Sequence, residues 1–276
     1  MKKILLLTFA SALLLGSCKE KSSSTEETPP VAAPPAKYIP TLGYAVREEL
    51  PHDSTAFTEG FLFHKGQLFE STGAAPEYPQ TRSLFGIVDL KSGKIAVKGE
   101  LDKKIYFGEG IVILNNKLYQ VTYKNKQGFV YDAKTFKKIK DFSYTNEEGW
   151  GLTTDSTSVI MSDGSSNLTY LDPDFLRPVK TLAVTLNGSP LPRLNELEYI
   201  KGYLYANVWM TNSIVKIDPK TGEVVATLDL TGVATDAHYR SPQALEMNGI
   251  AYDPATDKIY VTGKLWSKIY QIEFEH

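Results

Sequence analysis

Two glutamates, two asparagines, a lysine and three large aromatics recur at matched places along this chain. Glu59, Glu109, Trp150, Asn195 and Asn248 each open a short run of one pattern. Gly73, Tyr123, Gly164, Trp209 and Lys264 close it. The offset between opening and closing residue is 14 in four runs and 16 in the fifth, where the turn Asp253–Asp257 is longer. Brought together, such residues make an aromatic-walled recess with a few convergent polar groups, the usual build of a small-ligand pocket. Paired carboxyls suit proton transfer, because apolar surroundings and a neighbouring like charge both raise a carboxyl pKa toward neutrality. Amide and ammonium donors suit a developing negative charge. An isolated Trp is more often packing and an isolated Glu more often solvated. The combination is what points to binding, and spacing alone points less strongly to catalysis.

Other chemistries find little support. His52, His64, His238 and His276 show no metal-ligand spacing. No Gly-x-Ser-x-Gly elbow or phosphate-binding glycine loop is present. The Asp172-Pro173-Asp174 stretch reads as a plain turn more readily than as a calcium site. A single cysteine excludes a disulfide framework and a cysteine zinc site. With 30 basic against 32 acidic residues and a net charge of −2, the 276-residue chain has no footprint for nucleic acid. No metal or cofactor is expected. A hydrophobic content of 42% is ample for a globular body.

The elements that must position the ten residues are short strands. Alternating runs such as Lys117-Leu118-Tyr119-Gln120-Val121-Thr122 are broken by Gly, Asn and Asp turns, and no long stretch has helical period. The five runs start 50, 41, 45 and 53 residues apart, and each is a strand, a turn and a second strand. After the first four comes a further strand ending in Asp89, Asp132, Asp172 or Asp218, then a turn and another strand. Four strands at this period match one propeller blade. The fifth unit stops at the C-terminus one strand short. Ala45-Val46-Arg47-Glu48-Glu49-Leu50 matches Ala96-Val97-Lys98-Gly99-Glu100-Leu101, the outer strand of the first unit. An all-β, five-bladed β-propeller is therefore expected, closed by pairing this N-terminal strand with the C-terminal blade; a β-sandwich is the alternative. In a propeller the inner strand starts and the second strand ends at the same channel mouth, so the ten residues should ring one opening. Residues 231–247 are long for a loop between blades and are expected to lie over that mouth.

The N-terminus carries its own signal. Lys2 and Lys3 precede the short apolar stretch Ile4–Leu15, then Leu15-Gly16-Ser17-Cys18. This resembles a bacterial lipoprotein signal, an ordinary secretory signal being the alternative. The expected organisation is a signal peptide over 1–17, a flexible tether over 18–37 beginning with lipidated Cys18, and the propeller over 38–276. A lipid anchor in the bacterial cell envelope follows, at the periplasmic face of the outer membrane or the cell surface.

The ordered set Phe57-Thr58-Glu59-Gly60, Glu70-Ser71-Thr72-Gly73, Phe107-Gly108-Glu109-Gly110, Glu147–Leu152, Asn195-Glu196-Leu197-Glu198-Tyr199, Ala206-Asn207-Val208-Trp209, Asn248–Tyr252 and Thr262-Gly263-Lys264 resembles the plant-type glutaminyl cyclotransferases. The likeness runs over about residues 40–275. It implies a five-bladed propeller, metal-independent, that converts N-terminal glutamine of peptides to pyroglutamate with loss of ammonia. It implies that Glu109 is the proton shuttle and that Asn195 and Lys264 are polar catalytic contacts. Trp150, Trp209, Tyr123 and Phe57 would form the substrate cage, with Glu59 beside them and Arg82 a further substrate contact. Two departures stand out: the family commonly has Gln at Glu59 and Trp at Tyr123. The rival reading is a non-catalytic envelope propeller that binds a peptide end or small ligand in the same mouth. A third reading, an interaction protein using its outer faces, fits poorly with the Lys-, Asp- and Glu-rich outer strands.

Overall fold

A computed structural model describes residues 38–276. The expected signal peptide over 1–17 and tether over 18–37, with Cys18, lie outside the described residues. Blade 1 is Thr58–His64, Gln67–Thr72, Leu84–Val88 and Ile95–Glu100. Blade 2 is Gly108–Leu114, Lys117–Thr122, Gln127–Asp132 and Lys138–Ser143. Blade 3 is Leu152–Thr154, Val159–Met161, Asn167–Leu171 and Pro178–Ala183, and blade 4 is Leu194–Ile200, Tyr203–Val208, Ser213–Ile217 and Val224–Asp229. Blade 5 takes Met247–Asp253, Lys258–Gly263 and Lys268–Phe274 from the C-terminus and Tyr44–Pro51 from the N-terminus. The last two strands pair antiparallel, Tyr44 opposite Phe274 and Pro51 opposite Lys268. The expected closure is thus present, and it covers the edge an open blade would expose.

Burial follows strand position. The inner strand Gly108–Leu114 is buried throughout, whereas the outer strand Lys138–Ser143 is nearly all exposed. That is why inner strands are apolar runs such as Ile111-Val112-Ile113-Leu114 and outer strands are rich in Lys and Asp. The core is divided into five clusters, each between neighbouring blades. Phe69 and Phe85 meet Ile111 and Leu118 between blades 1 and 2. Phe61 and Leu68 meet Ala251 and Tyr260 where blade 1 closes on blade 5. The Asp column makes local turns, the Oδ1 atoms of Asp89, Asp132, Asp172 and Asp218 accepting the N–H two residues on at 2.8–3.1 Å.

Three features depart from the repeat. Thr41–Leu42 adds a short parallel strand outside blade 4. A small hairpin, Thr185–Leu186 with Ser189–Pro190, links blades 3 and 4. Thr231–Arg240 is an α-helix with Leu230 at its N-cap; just before it, the Asp229 carboxylate accepts from the Thr231 N–H and hydroxyl. Its buried residues Val233, Ala234 and Ala237 pack beside Trp266, Tyr270 and Phe274 on blade 5. The helix is therefore a flank of the core and lines no part of the mouth; only Glu246, at the end of the segment, reaches it.

A column of small residues sets how closely the inner strands meet. Gly60, Gly110, Gly151 and Gly249 follow the opening residues of blades 1, 2, 3 and 5. A Cβ on Gly60 would lie 2.7 Å from the Ile111 nitrogen, and one on Gly151 would lie 2.3 Å from the Asn195 carbonyl oxygen. Blade 4 has Glu196 there instead. Its buried carboxyl accepts the backbone N–H of Phe61 at 3.1 Å and of Ile250 at 2.8 Å, tying three blades together.

Candidate active site

The mouth residues stand where they do because every inner strand is irregular at its start. In blade 1, Thr58 pairs with Thr72 and Gly60 with Ser71, so Glu59 is an extra residue without a partner. One extra residue likewise falls at Glu109-Gly110, at Asn195-Glu196 and at Asn248-Gly249. In blade 3, Trp150 donates to the Ser162 carbonyl, and Ser162 donates back to Gly151. Such bulges re-aim a side chain away from the regular alternation. Their freed backbone groups are met by polar side chains on second strands. Ser71 Oγ donates to the Glu109 carbonyl (2.5 Å), Ser162 Oγ to that of Asn195 (2.6 Å), and Asn207 Oδ1 accepts from Gly249 N–H (3.0 Å).

Eight of the nine pocket residues expected from the sequence line one cavity of about 680 Å³: Glu59, Glu109, Asn195 and Lys264, with Phe57, Tyr123, Trp150 and Trp209. Arg82 does not. Its guanidinium donates twice to Glu100 on the exposed outer strand of blade 1, at 2.9 and 2.5 Å, and is spent on that pair. Asn248 lies beneath the cavity, its amide donating to Glu59 Oε2 and to the Thr58 carbonyl at 3.0 Å each. Gly73 and Gly164 serve by lacking a side chain. A Cβ on Gly73 would meet the Phe107 ring at 2.1 Å, and one on Gly164 the Trp150 ring at 2.6 Å.

At the floor, Lys264 Nζ sits 2.9 Å from Glu59 Oε1, both side chains almost fully buried, and 4.6 Å from the centre of the Phe57 ring. Burial pushes the Glu59 carboxyl up to about 7, although the Lys264 ammonium and its hydrogen bond oppose this. Burial and then the Glu59 charge hold Glu109 well above the ordinary carboxyl range, with Lys264 pulling the other way. Burial would lower Lys264, yet the charges of Glu59 and Glu109 outweigh it and raise it, so it stays an ammonium. The two carboxyls are therefore coupled, each held above the ordinary carboxyl range beside a charged Lys264. Asn195 points its buried Oδ1 at no protein partner.

The walls are aromatic. Trp150 and Trp209 meet edge to face with ring centres 5.6 Å apart, and Trp150 Nε1 donates to Glu148 at 2.9 Å. Phe57, Phe107 and Tyr123 follow one another at 5.8 and 5.9 Å. Phe107, Glu148 and Glu246 were not singled out from the sequence. Phe107 was available, since it stands to Glu109 as Phe57 stands to Glu59. Glu148 and Glu246 lie in connections outside the repeat, where no column marks them. Among the described residues no group of three or more His, Cys, Asp or Glu side chains converges as metal ligands.

This architecture has relatives. The glutamine cyclotransferase family model matches residues 10–274. A glutaminyl-peptide cyclotransferase from Arabidopsis thaliana is 38% identical over 229 residues, 82% of this chain and 70% of that protein. The crystal structure of Myxococcus xanthus glutaminyl cyclase superposes with a TM-score of 0.76 at 31% identity, covering 86% of this chain and 99% of that one. With the mouth residues carried on one continuous match, the chain belongs to the glutamine cyclotransferase family.

Proposed function

We propose that the mouth cyclises the N-terminal glutamine of peptides, with Glu109 as the group that moves the proton. The carrying observation is the buried Glu109 carboxyl, coupled to the Glu59–Lys264 pair inside an aromatic cage. The α-amine nitrogen attacks the side-chain amide carbon, the new N–C bond closes a five-membered ring, and the old C–N bond breaks to release ammonia. Because both reactants belong to one residue, holding it curled removes most of the entropic barrier. Trp150, Trp209 and Tyr123 hold the glutamine stem and keep water out.

Glu109 takes the proton lost by the attacking amine and delivers it to the departing nitrogen, ending as it began. A carboxyl raised by burial suits this double duty near neutral pH, and such help is typically worth roughly 10²- to 10⁴-fold. The amide of Asn195 and the remaining hydrogens of the Lys264 ammonium face the carbonyl oxygen as it gains charge. Every step is carried by the chain's own groups, in the manner of a metal-independent acyltransferase. We further propose that the protein acts outside the cytoplasm, held to a bacterial envelope membrane by lipid on Cys18, as Leu15-Gly16-Ser17-Cys18 suggests.

A coupled ammonia assay on a glutamine-initiated dipeptide tests the activity. Stoichiometric ammonia and pyroglutamyl product are expected. Folded protein that quenches its Trp fluorescence with the peptide yet releases no ammonia would establish the binding-propeller reading instead.

A further inference from the structure

The cavity is larger than the reacting residue requires. Even if each non-hydrogen atom of a glutaminyl residue claimed the roughly 30 Å³ of a liquid water molecule, that residue would fill less than half of the 680 Å³. The surplus has a direction. Blades 3, 4 and 5 contribute only residues at or next to the ring of strand ends, Glu148 and Glu246 being the outliers. Over blades 1 and 2 the lining runs outward along two connecting segments, 74–77 and 103–107.

These segments form a built wall. The Thr81 hydroxyl donates to the carbonyls of Ala75 and Tyr78, and Lys103 Nζ to that of Pro79. Asn125 Nδ2 donates to the Ile105 carbonyl at 3.0 Å, and Ser83 Oγ to the Tyr106 carbonyl at 3.0 Å. The Phe57 ring packs against those of Tyr78 and Phe107 beside them. Besides Glu77 and Lys103, which also line this stretch, the surface offers an apolar patch of Ala75, Pro76, Ile105 and Phe107. Ile105 is 58% exposed at the cavity edge. Both cations of this stretch are engaged, Lys103 by the Pro79 carbonyl and Lys124 by Glu148 and the Tyr123 ring.

The chemistry of ring closure says what lies there. The α-amine and the side-chain amide of the first residue are both consumed in the lactam. Only its α-carbonyl leads onward, so the rest of the peptide must leave by the open side. We propose that the wall formed by Ala75, Pro76, Ile105 and Phe107 is a subsite for the second residue of the substrate and selects an apolar side chain there. This rests on the cyclisation reading of the mouth and adds to it a preferred substrate class: peptides beginning Gln-Leu or a similar pair, ahead of those with Gly or Asp second.

The test is kcat/KM for C-terminally blocked tripeptides with Leu, Gly or Asp second, using wild type and Ile105→Ser. Covering about half of a leucine side chain predicts a preference for Leu over Gly of roughly fivefold to tenfold, carried by KM. Ile105→Ser should shrink that ratio to about twofold or less by raising KM for the Leu peptide. Equal kcat/KM for all three peptides in wild type, or an undiminished ratio in a folded Ile105→Ser protein, overturns the subsite. Ammonia from none of the peptides overturns the cyclisation reading instead. The subsite is then read from the affinities of pyroglutamyl-Leu and pyroglutamyl-Gly peptides by Trp fluorescence, where the same preference supports it and equal affinities reject it.

Discussion

At the scale of the residue, the proposed mechanism turns on the coupling between two buried carboxyls. Glu59 contributes a charge next to Glu109, and this charge is the second cause, after burial, of the raised Glu109 carboxyl. Glu59→Gln keeps the shape and still accepts from Asn248. It removes the like charge and frees the Lys264 ammonium, and both changes lower the Glu109 pKa. The limb of the pH–rate profile set by Glu109 should therefore move to lower pH, with a smaller change in maximal rate; an unmoved limb would contradict the coupling. These residues were legible in the sequence because the opening and closing columns repeat, and a propeller carries both columns to one mouth. Arg82, expected from its place in the long segment after Gly73, stands outside the repeat columns and does not line the cavity, its guanidinium being held by Glu100. Glu148 and Glu246 were illegible because connections obey no period.

At the scale of the element, the bulge is the device that turns an ordinary inner strand into a platform. The sequence displayed its trace, a glycine after the opening residue in four of five blades, but not its cause. The cause at Gly60, Gly110 and Gly151 is contact between blades, where a Cβ would strike the backbone of a neighbouring strand; at Gly249 it is a φ of +124°. Gly151→Ala would press on the Asn195 carbonyl, and the strands cannot part without opening the ring. It should cost about 1–3 kcal/mol, seen as a lower denaturant midpoint, and should reduce kcat by shifting Trp150 and Asn195. Unaltered stability would show that the strands have room to spare. The helix Thr231–Arg240 went unforeseen for a related reason. Its apolar stripe is only Val233, Ala234 and Ala237, too weak to stand out beside the strand pattern.

At the scale of the whole molecule, the ring depends on its seam. His52 follows the N-terminal strand and is fully buried there. Its Nε2 lies 3.0 Å from Glu70 and its Nδ1 2.8 Å from the Trp266 carbonyl, so both ring nitrogens face acceptors. Thr58 donates to the same Glu70 carboxyl at 2.7 Å. Burial lowers the His52 pKa, but the Glu70 charge and the hydrogen bonds outweigh it and raise it. A histidine raised in the folded state stabilises most below its unfolded pKa of about 6.5, and that contribution is lost as pH rises through the folded value. His52→Ala should cost about 3–5 kcal/mol at pH 6 and less at high pH, measured by denaturant melts. A pH-independent loss would mean the ring is held as a neutral imidazole. Closure itself was readable, since the fifth unit lacked a strand that residues 45–50 matched; the His52–Glu70 pair was not, because eighteen residues of sequence separate two partners that only the closed ring brings together.

The central claim is that one carboxyl at the axial mouth carries the proton across the closing lactam, and its most direct test is ammonia release by Glu109→Gln. The substitution preserves size and leaves the Ser71 bond to the backbone intact, so the folded ring should persist, with thermal melting near that of wild type. Turnover of a glutamine-initiated peptide should fall by roughly 10²-fold or more while Trp fluorescence still reports peptide binding. Ammonia release within a few-fold of wild type by a folded Glu109→Gln protein would contradict the account.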